Sequence, residues 1–416
     1  MKIAIIGTGI SGLTAAHLLH RRHDLTIFEA GTYPGGHSHT VDVVQDGESF
    51  AIDTGFMVYN PANYPNFIKV LKSIGVMGRP TQMSFSVHNA QNGLEYCGSN
   101  LNTIFAQRRN LIRAGFYRLL MDVFRFNRLG KQMLRMGVSP RLSLGQLLDI
   151  ERFSTIFQEN YLLPMGGAIW SASTGAMRSF PAGHFLRFFE NHGLLSVSSQ
   201  PQWHTIQGGS RQYVRSLIKP FAHRIRLNTP VRSIQRDEKG AWIRTVDGEA
   251  EHYDRVVIAT HSNQALHMLA DPTPQEQTIL AAITYQPNEV VLHTDRQLLP
   301  RSRRAWAAWN YHIADEPGER ATVTYNMNIL QGLQSRAPFC VTLNQTGLID
   351  EAKVLGRYVY DHPVFNEAAF AAQARKAEIS NHQRNTFYCG AYWGYGFHED
   401  GVNSGLDVAA AFGEVL

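Results

Sequence analysis

The sequence predicts a mixed α/β and α+β fold in which a parallel-sheet domain is interleaved with a second domain of sheet plus helical cap. Three observations predict it. The chain opens on a short apolar strand that runs through a glycine-rich turn into a helix, "KIAIIGTGISGLTAAHLL". It closes on a strand, an aromatic glycine-rich loop and a last helix, "NTFYCGAYWGYGFHEDGVNSGLDVAAAF". Between them, segments of helical period and β-like segments alternate over long distances, so no single stretch holds a complete domain.

In chain order, "KIAII" is apolar after Lys2, the pattern of a strand buried on both faces. Gly7, Gly9 and Gly12 follow as G-x-G-x-x-G. Gly7 permits the tight turn, Gly9 removes a side chain where a pyrophosphate must approach the backbone, and Gly12 lets the helix pack closely on the sheet. The helix N-terminus, with Ile10 and Ser11, offers free N–H groups and a positive dipole end to phosphate. "LTIFEA" then reads as a second strand ending in Glu29 and Ala30. Glu29 lies 17 residues after Gly12, the place of a carboxylate that accepts bonds from an adenosine ribose and repels a 2′-phosphate. This is a Rossmann-like dinucleotide site, because strand, helix and acid all accompany the glycines.

Three later stretches read as the rest of that domain. "TIQGGSRQYVRSLIKPF" is a Gly-Gly turn followed by an amphipathic helix. "IRLNTPVRSIQRD" alternates like a strand, and "AWIRTVDGEAEHYDRVVIAT" reads as a hairpin with a D-G turn leading into a buried strand. The expected division is 1–60, 200–275 and 380–416 for the nucleotide-binding domain, and 61–199 and 276–379 for the other. In the first insert "NFIKVLKSIGV" and "TIFAQRRNLIRAGFYRLLMDVFRFNRLGKQML" have helical period, whereas "NEVVLHT" and "RATVTYNMNIL" in the second are β-like.

Composition bounds the function. The chain has 416 residues, 44% of them hydrophobic, enough for about two or three domains. No apolar run reaches the length of a membrane span. The glycines at 7, 9 and 12 interrupt what could be misread as a signal peptide. Three widely spaced cysteines, Cys97, Cys340 and Cys389, show no C-x-x-C pairing and fit structural thiols in a reducing cytoplasm.

The stretch "EAGTYPGGH" resembles the amine-oxidase and phytoene-desaturase branch of the glutathione-reductase superfamily. In that branch the ribose acid is followed by paired glycines, here Gly35 and Gly36, that fold over the FAD pyrophosphate. The resemblance implies FAD as cofactor. It usually places Arg after the glycine pair, where this chain has His37. "FAIDTGFMVYN" resembles the segment that passes the isoalloxazine ring, with Asp53, Gly55, Phe56 and Met57. Val231 sits where relatives hold the adenine. After the strand ending at Gly390, a helix beginning near Asp400 or Gly401, with Val402, would point its N-terminus at the flavin.

Most of the chain, through "IDTGFMVYNPANYPNF", "PMGGAIWS" and "PQWHTIQGGSRQYV", resembles predicted NAD/FAD-binding proteins associated with cyclopropane-fatty-acid synthase. "RNTFYCGA" is also similar to FAD-dependent polyunsaturated fatty-acid isomerases. Both resemblances imply a lipid or fatty-acyl substrate. The leading expectation is an FAD-dependent oxidoreductase taking hydride from such a substrate. A double-bond isomerase and a non-catalytic flavoprotein that delivers lipid to a methyltransferase stand as alternatives. No catalytic lysine motif is visible. Tyr325, Trp170 and Trp393 are candidate pocket aromatics, and His398 is a candidate proton shuttle.

The net charge of +5 is unevenly spread. Arg108, Arg109, Arg113, Arg118, Arg125, Arg128, Lys131 and Arg135 face a single acid, Asp122, between 108 and 135. Arg125, Arg128 and Arg135 share a helical face with interleaved apolar residues, which fits either a solvated helix face or contact with an anionic membrane. No nucleic-acid recognition motif accompanies the charge. His37 and His39, two apart and near Asp42, suggest a metal, but no H-E-x-x-H or His/Cys cluster exists, and none is expected. His184, His192 and His204 are read as structural. Oligomeric state is not legible.

Overall fold

The computed structural model describes residues 1–197, 201–314 and 320–416. β1 (Lys2–Ile6) has no polar side chain after Lys2 and is buried from Ile3 onward. It pairs in parallel with β2 (Asp24–Phe28) on one side and with Arg255–Ile258 on the other. Thr386–Tyr388 and Ile225–Arg226 extend the sheet at its two edges, also in parallel, to five strands. α1 (Ile10–Leu19) is the crossover between β1 and β2 and is apolar nearly all round, because both of its faces are covered. The last helix, His398–Ala411, packs along α1. Gly401 and Gly405 permit that approach: a Cβ at Gly405 would lie 2.5 Å from the Ser11 carbonyl oxygen, and one at Gly401 2.6 Å from the Ile10 side chain.

The second sheet has seven strands in the order Val354–Pro363, Tyr285–His293, Cys340–Leu343, Val323–Asn326, Trp309–Ile313, Phe85–Asn89, Glu95–Cys97. Its neighbours are antiparallel except Trp309–Ile313 beside Phe85–Asn89. The helical cap comes from the first insert. Its longest member, Ala114–Met136, packs against Ala182–Asn191. Phe126, Phe157, Phe185 and Phe189 fill the interior of that cap. The amphipathic segment at 205–221 forms the helix Arg211–Ile218, and the D-G hairpin forms Ala241–Thr245 against Ala250–Tyr253.

The expected domain boundaries remain a proposal. The one at 199/200 lies outside the described residues. Those near 275 and 380 adjoin helices Pro274–Ala281, Glu367–Gln373 and Lys376–Ile379. Ile279, Leu280, Ala369 and Ile379 from these helices share an apolar cluster with Ala4 and Ile6 of the parallel sheet. No helix is long and apolar enough to cross a membrane among the described residues.

Candidate functional site

The site is built where the C-terminal ends of the parallel strands meet the second sheet and the cap. A cavity of about 1850 Å³ opens there. Single-ligand pockets hold about 300–1,000 Å³, so this one has room for a cofactor and a substrate together.

On the parallel-sheet side, Gly7 adopts φ +102° and closes the turn after β1. A Cβ there would lie 2.9 Å from the Ala259 carbonyl oxygen, and one at Gly12 only 2.2 Å from the Gly7 carbonyl oxygen. Gly9, in contrast, faces open space, with nothing within 4 Å of its missing Cβ. No side chain caps the helix that starts at Ile10, so its first N–H groups stay available to an anion. Glu29 stands at the end of β2 with its carboxylate fixed. The Thr8 N–H (2.9 Å) and Thr8 hydroxyl donate to one oxygen, and the Gly31 N–H donates to the other (2.8 Å). Gly35 donates its N–H to the Thr8 carbonyl at 3.0 Å, and a Cβ on Gly36 would lie 3.3 Å from Gly9 Cα. The paired glycines therefore lie directly on the G-x-G-x-x-G turn.

Of the residues expected at the cofactor, Gly7, Gly9, Ile10, Ser11, Glu29, Ala30, Gly35, Gly36, His37, Gly55, Phe56, Met57, Val231 and Gly390 line this cavity. Gly12, Asp400, Gly401 and Val402 do not. The last helix starts at His398 rather than near Asp400. The Asp400 carboxylate folds back to accept from the Tyr395 (3.0 Å) and Phe397 (2.9 Å) N–H groups, which draws the helix start forward by holding the preceding loop. Burial pushes that carboxyl up to about 6, against the opposing pull of those two N–H groups. Asp53 likewise supports the site from behind. It accepts from the Thr40 hydroxyl (2.6 Å), from the Ser210 N–H and hydroxyl (both 2.8 Å), and from the Gln331 amide (3.3 Å). Burial outweighs these bonds and raises its carboxyl to about 6.

His37 is the residue that the resemblance sets where Arg is usual. Its ring lies 5.9 Å from that of His261, 5.8 Å from that of His362 and 5.1 Å from that of Tyr360. Burial depresses all three imidazoles, His261 and His362 to about 3, so they are neutral at pH 7. His37 Nε2 and His261 Nδ1 are buried without a hydrogen-bond partner, in residues that line the cavity. Neither His261 nor His362 was singled out from the sequence. His261 carries a signal, because it follows a parallel strand at its C-terminal end, where ligands bind in such sheets. His362 carries none.

Of the four catalytic candidates, His398, Tyr325 and Trp170 line the cavity and Trp393 does not; its ring packs on Tyr392 in the core beneath the parallel sheet. His398 is a tightly held histidine. Its ring stacks on Phe56 at 3.6 Å, and its Nε2 shares a 2.7 Å hydrogen bond with the Tyr213 hydroxyl, which in turn bonds Ser38. Burial depresses it to about 3. Trp170 packs in the cap between Phe180 and Phe188, whose rings are tilted to it at 4.7 Å each. Tyr325 meets Trp309 edge-on at 5.0 Å, and burial raises its hydroxyl above the usual tyrosine range. Among the described residues, no group of three or more His, Cys, Asp or Glu side chains is placed to hold a metal ion.

These features fit FAD. The side chain missing at Gly9 leaves a cradle, the uncapped helix and the anchored Glu29 suit a pyrophosphate and an adenosine ribose, and unpartnered His37 Nε2 supplies a polar contact beside them. Comparisons with known proteins point the same way. The family model described as "Flavin containing amine oxidoreductase" matches residues 10–352. The chain is 23% identical over 295 residues to AofH of Mycobacterium tuberculosis (strain CDC 1551 / Oshkosh), named as a flavin-containing monoamine oxidase. That match covers 68% of this chain and 62% of AofH, so the chain spans less than two thirds of the curated relatives it matches. Its fold is similar to that of cyclohexylamine oxidase from Brevibacterium oxydans IH-35A (TM-score 0.69, 15% identity, covering 99% of this chain and 98% of that one). It is equally similar to a CLA-producing fatty acid isomerase from P. acnes (TM-score 0.70, 15% identity, 99% and 98%) and to putrescine oxidase (TM-score 0.68, 14% identity, 99% and 99%). With the family model matched over most of its length and an FAD cradle built from the expected residues, the chain belongs to the flavin containing amine oxidoreductase family.

Proposed function

We propose that the protein is an FAD-dependent oxidoreductase acting on a C–H bond of a lipid or fatty-acyl chain. One observation carries this reading: among the described residues no Lys or Arg lines the cavity, and the acids that do are Glu29 and Asp361. Beyond the cofactor residues its walls are mostly apolar, with Leu120, Val123, Met165, Ile169, Trp170 and Phe188 on the cap side. Such a lining suits a long uncharged chain and leaves a charged headgroup outside.

FAD, when bound, supplies the acceptor for a hydride leaving a substrate carbon. The protein's own contribution is then to exclude water, orient the chain and take a proton. The apolar cap residues exclude water. Tyr325 keeps its proton and presents a neutral hydroxyl. Burial holds the imidazoles of His37, His261, His362 and His398 neutral, and the proton path we assign is the hydrogen-bonded chain His398–Tyr213–Ser38. Three buried, unpaired thiols support a reducing, cytoplasmic location, which stands as part of the same proposal.

The same lining also suits a double-bond isomerase, in which the hydride returns to the same chain. Anaerobic mixing of the purified flavoprotein with an unsaturated fatty acid, its phospholipid ester or a long-chain alkylamine separates the readings. Loss of the visible flavin band with the acyl compounds is expected. A shifted double bond without net bleaching assigns isomerisation, and bleaching by the amine alone overturns the lipid reading.

A further inference from the structure

We propose that the outer face of helix Ala114–Met136, with the turn before it, docks on a bilayer carrying anionic headgroups and so sets the mouth of the cavity against its acyl substrate. This rests on the acyl reading above. At about 100° per residue, Arg113, Tyr117, Met121, Phe124, Arg128, Lys131 and Arg135 fall within an arc of about 80°. The opposite side of the helix is buried through Phe116, Leu119, Val123 and Phe126. Apart from Tyr117, whose ring meets that of Phe105 at 6.1 Å and whose hydroxyl donates to the Leu111 carbonyl, the arc makes no ring contact or ion pair among the described residues, and it combines two chemistries that a solvated face does not need together.

The first is apolar. Phe124 is 60% exposed and Met121 58%, and in the preceding turn Ile112 is 89% exposed. The second is cationic. Arg113, Arg128, Lys131 and Arg135 make no ion pair among the described residues. Arg118 and Arg125 are different. Both pair with buried Asp122 at 3.4 Å, and Arg125 also stacks on Phe153, so Arg125 leaves the face it was expected to share with Arg128 and Arg135. Asp122 is thus spent inside, and no acid offsets the outward cations on this helix.

Position makes the combination specific. Phe124 lines the cavity, and so does Leu101, which is 76% exposed. The apolar surface therefore continues from outside into the site. Arg128 follows Phe124 by one helical turn on the same face, and Lys131 by two, whereas no Lys or Arg lines the cavity among the described residues. A headgroup phosphate would stay at the arginines while the acyl chain passes Phe124 and Leu101. An acidic protein would satisfy the cations but would give the exposed Phe124, Met121 and Ile112 no acyl phase to enter.

Vesicle flotation of the FAD-loaded protein tests this. Phosphatidylcholine vesicles with about 30 mol% phosphatidylglycerol should bind it at low salt, and pure phosphatidylcholine vesicles at least about tenfold less. The variant Arg113→Gln/Arg128→Gln/Lys131→Gln/Arg135→Gln should lower partitioning by several hundred-fold, about fivefold for each cation lost, with unchanged flavin content. It should still act on a short-chain acyl substrate free in solution. No flotation at low salt, equal binding to neutral vesicles, or an unaffected variant would overturn the docking surface. So would binding to an oligonucleotide in preference to vesicles, or concentration-dependent pairing that buries Phe124 in a second copy. Flotation without acyl turnover would sink the substrate reading alone, and acyl turnover without flotation would sink the docking surface alone.

Discussion

The two walls of the cavity are built on different principles. On the parallel-sheet wall, the groups that meet the cofactor are mainly backbone: the turn at Gly7, the cradle at Gly9, the uncapped helix start and the Gly35–Gly36 loop, with one fixed carboxylate at Glu29. On the cap wall they are side chains, gathered from helices that lie far apart in sequence and held by aromatic packing around Trp170, Phe185 and Phe188. The contrast teaches that the first wall tolerates almost no added volume, whereas the second can lose volume and keep its outline. A backbone cradle has no rotamer with which to adapt.

Three substitutions would break or sharpen that contrast. The largest effect is expected on the backbone wall. Gly12→Ala places a methyl group 2.2 Å from the Gly7 carbonyl oxygen. The purified, folded variant should show no visible flavin band even after incubation with excess FAD. Wild-type flavin content would mean that close helix–sheet approach does not shape the cradle.

On the cap wall, Trp170→Ala should cost about 3–5 kcal/mol of stability in chemical denaturation, as large-to-small core changes do, yet retain its flavin. Trp170 is 8% exposed and sits among three phenylalanines. Flavin loss without loss of stability would place it on the other wall instead.

The smallest effect is expected at Asp53, which ties the walls together through Thr40, Ser210 and Gln331. Its carboxyl is raised from 3.8 to about 6 in the fold. The stability linked to its protonation is therefore fully present below about pH 4 and lost as pH rises through about 6, to a limit of about 3 kcal/mol. Asp53→Asn removes this titration, so the stability of the native protein relative to the variant should fall between pH 4 and 7. A pH-independent difference would show that Asp53 ionises freely.

The same division explains what could be read in advance. The glycines at 7, 9, 12, 35 and 36 and the acid at 29 sit within one strand–helix–strand unit and its following loop, so their spacing alone carries their geometry. The segment with Asp53 was expected to pass the flavin ring by its backbone; that the Asp53 carboxylate is tied to Ser210 and Gln331 was not legible, because those partners come from distant segments. Trp393 lies in the aromatic loop before the last helix, but which way a loop side chain turns depends on what packs beside it. Here the neighbour is Tyr392. His37 was marked as a departure from the usual Arg, but its partners His261 and His362 arrive from other elements and leave no pattern next to it.

By itself the sequence determined the class of fold, the FAD cradle, the basic helix and the alternation of segments, because each rests on local spacing and on the period of apolar residues. Only the tertiary structure decided that no Lys or Arg among the described residues enters the cavity, that Arg125 turns inward to Asp122, and that Phe124 lies both on the outer face and in the cavity wall. Those facts depend on which distant surfaces come together. Local spacing cannot encode that, since burial is a property of the assembled core rather than of any one segment.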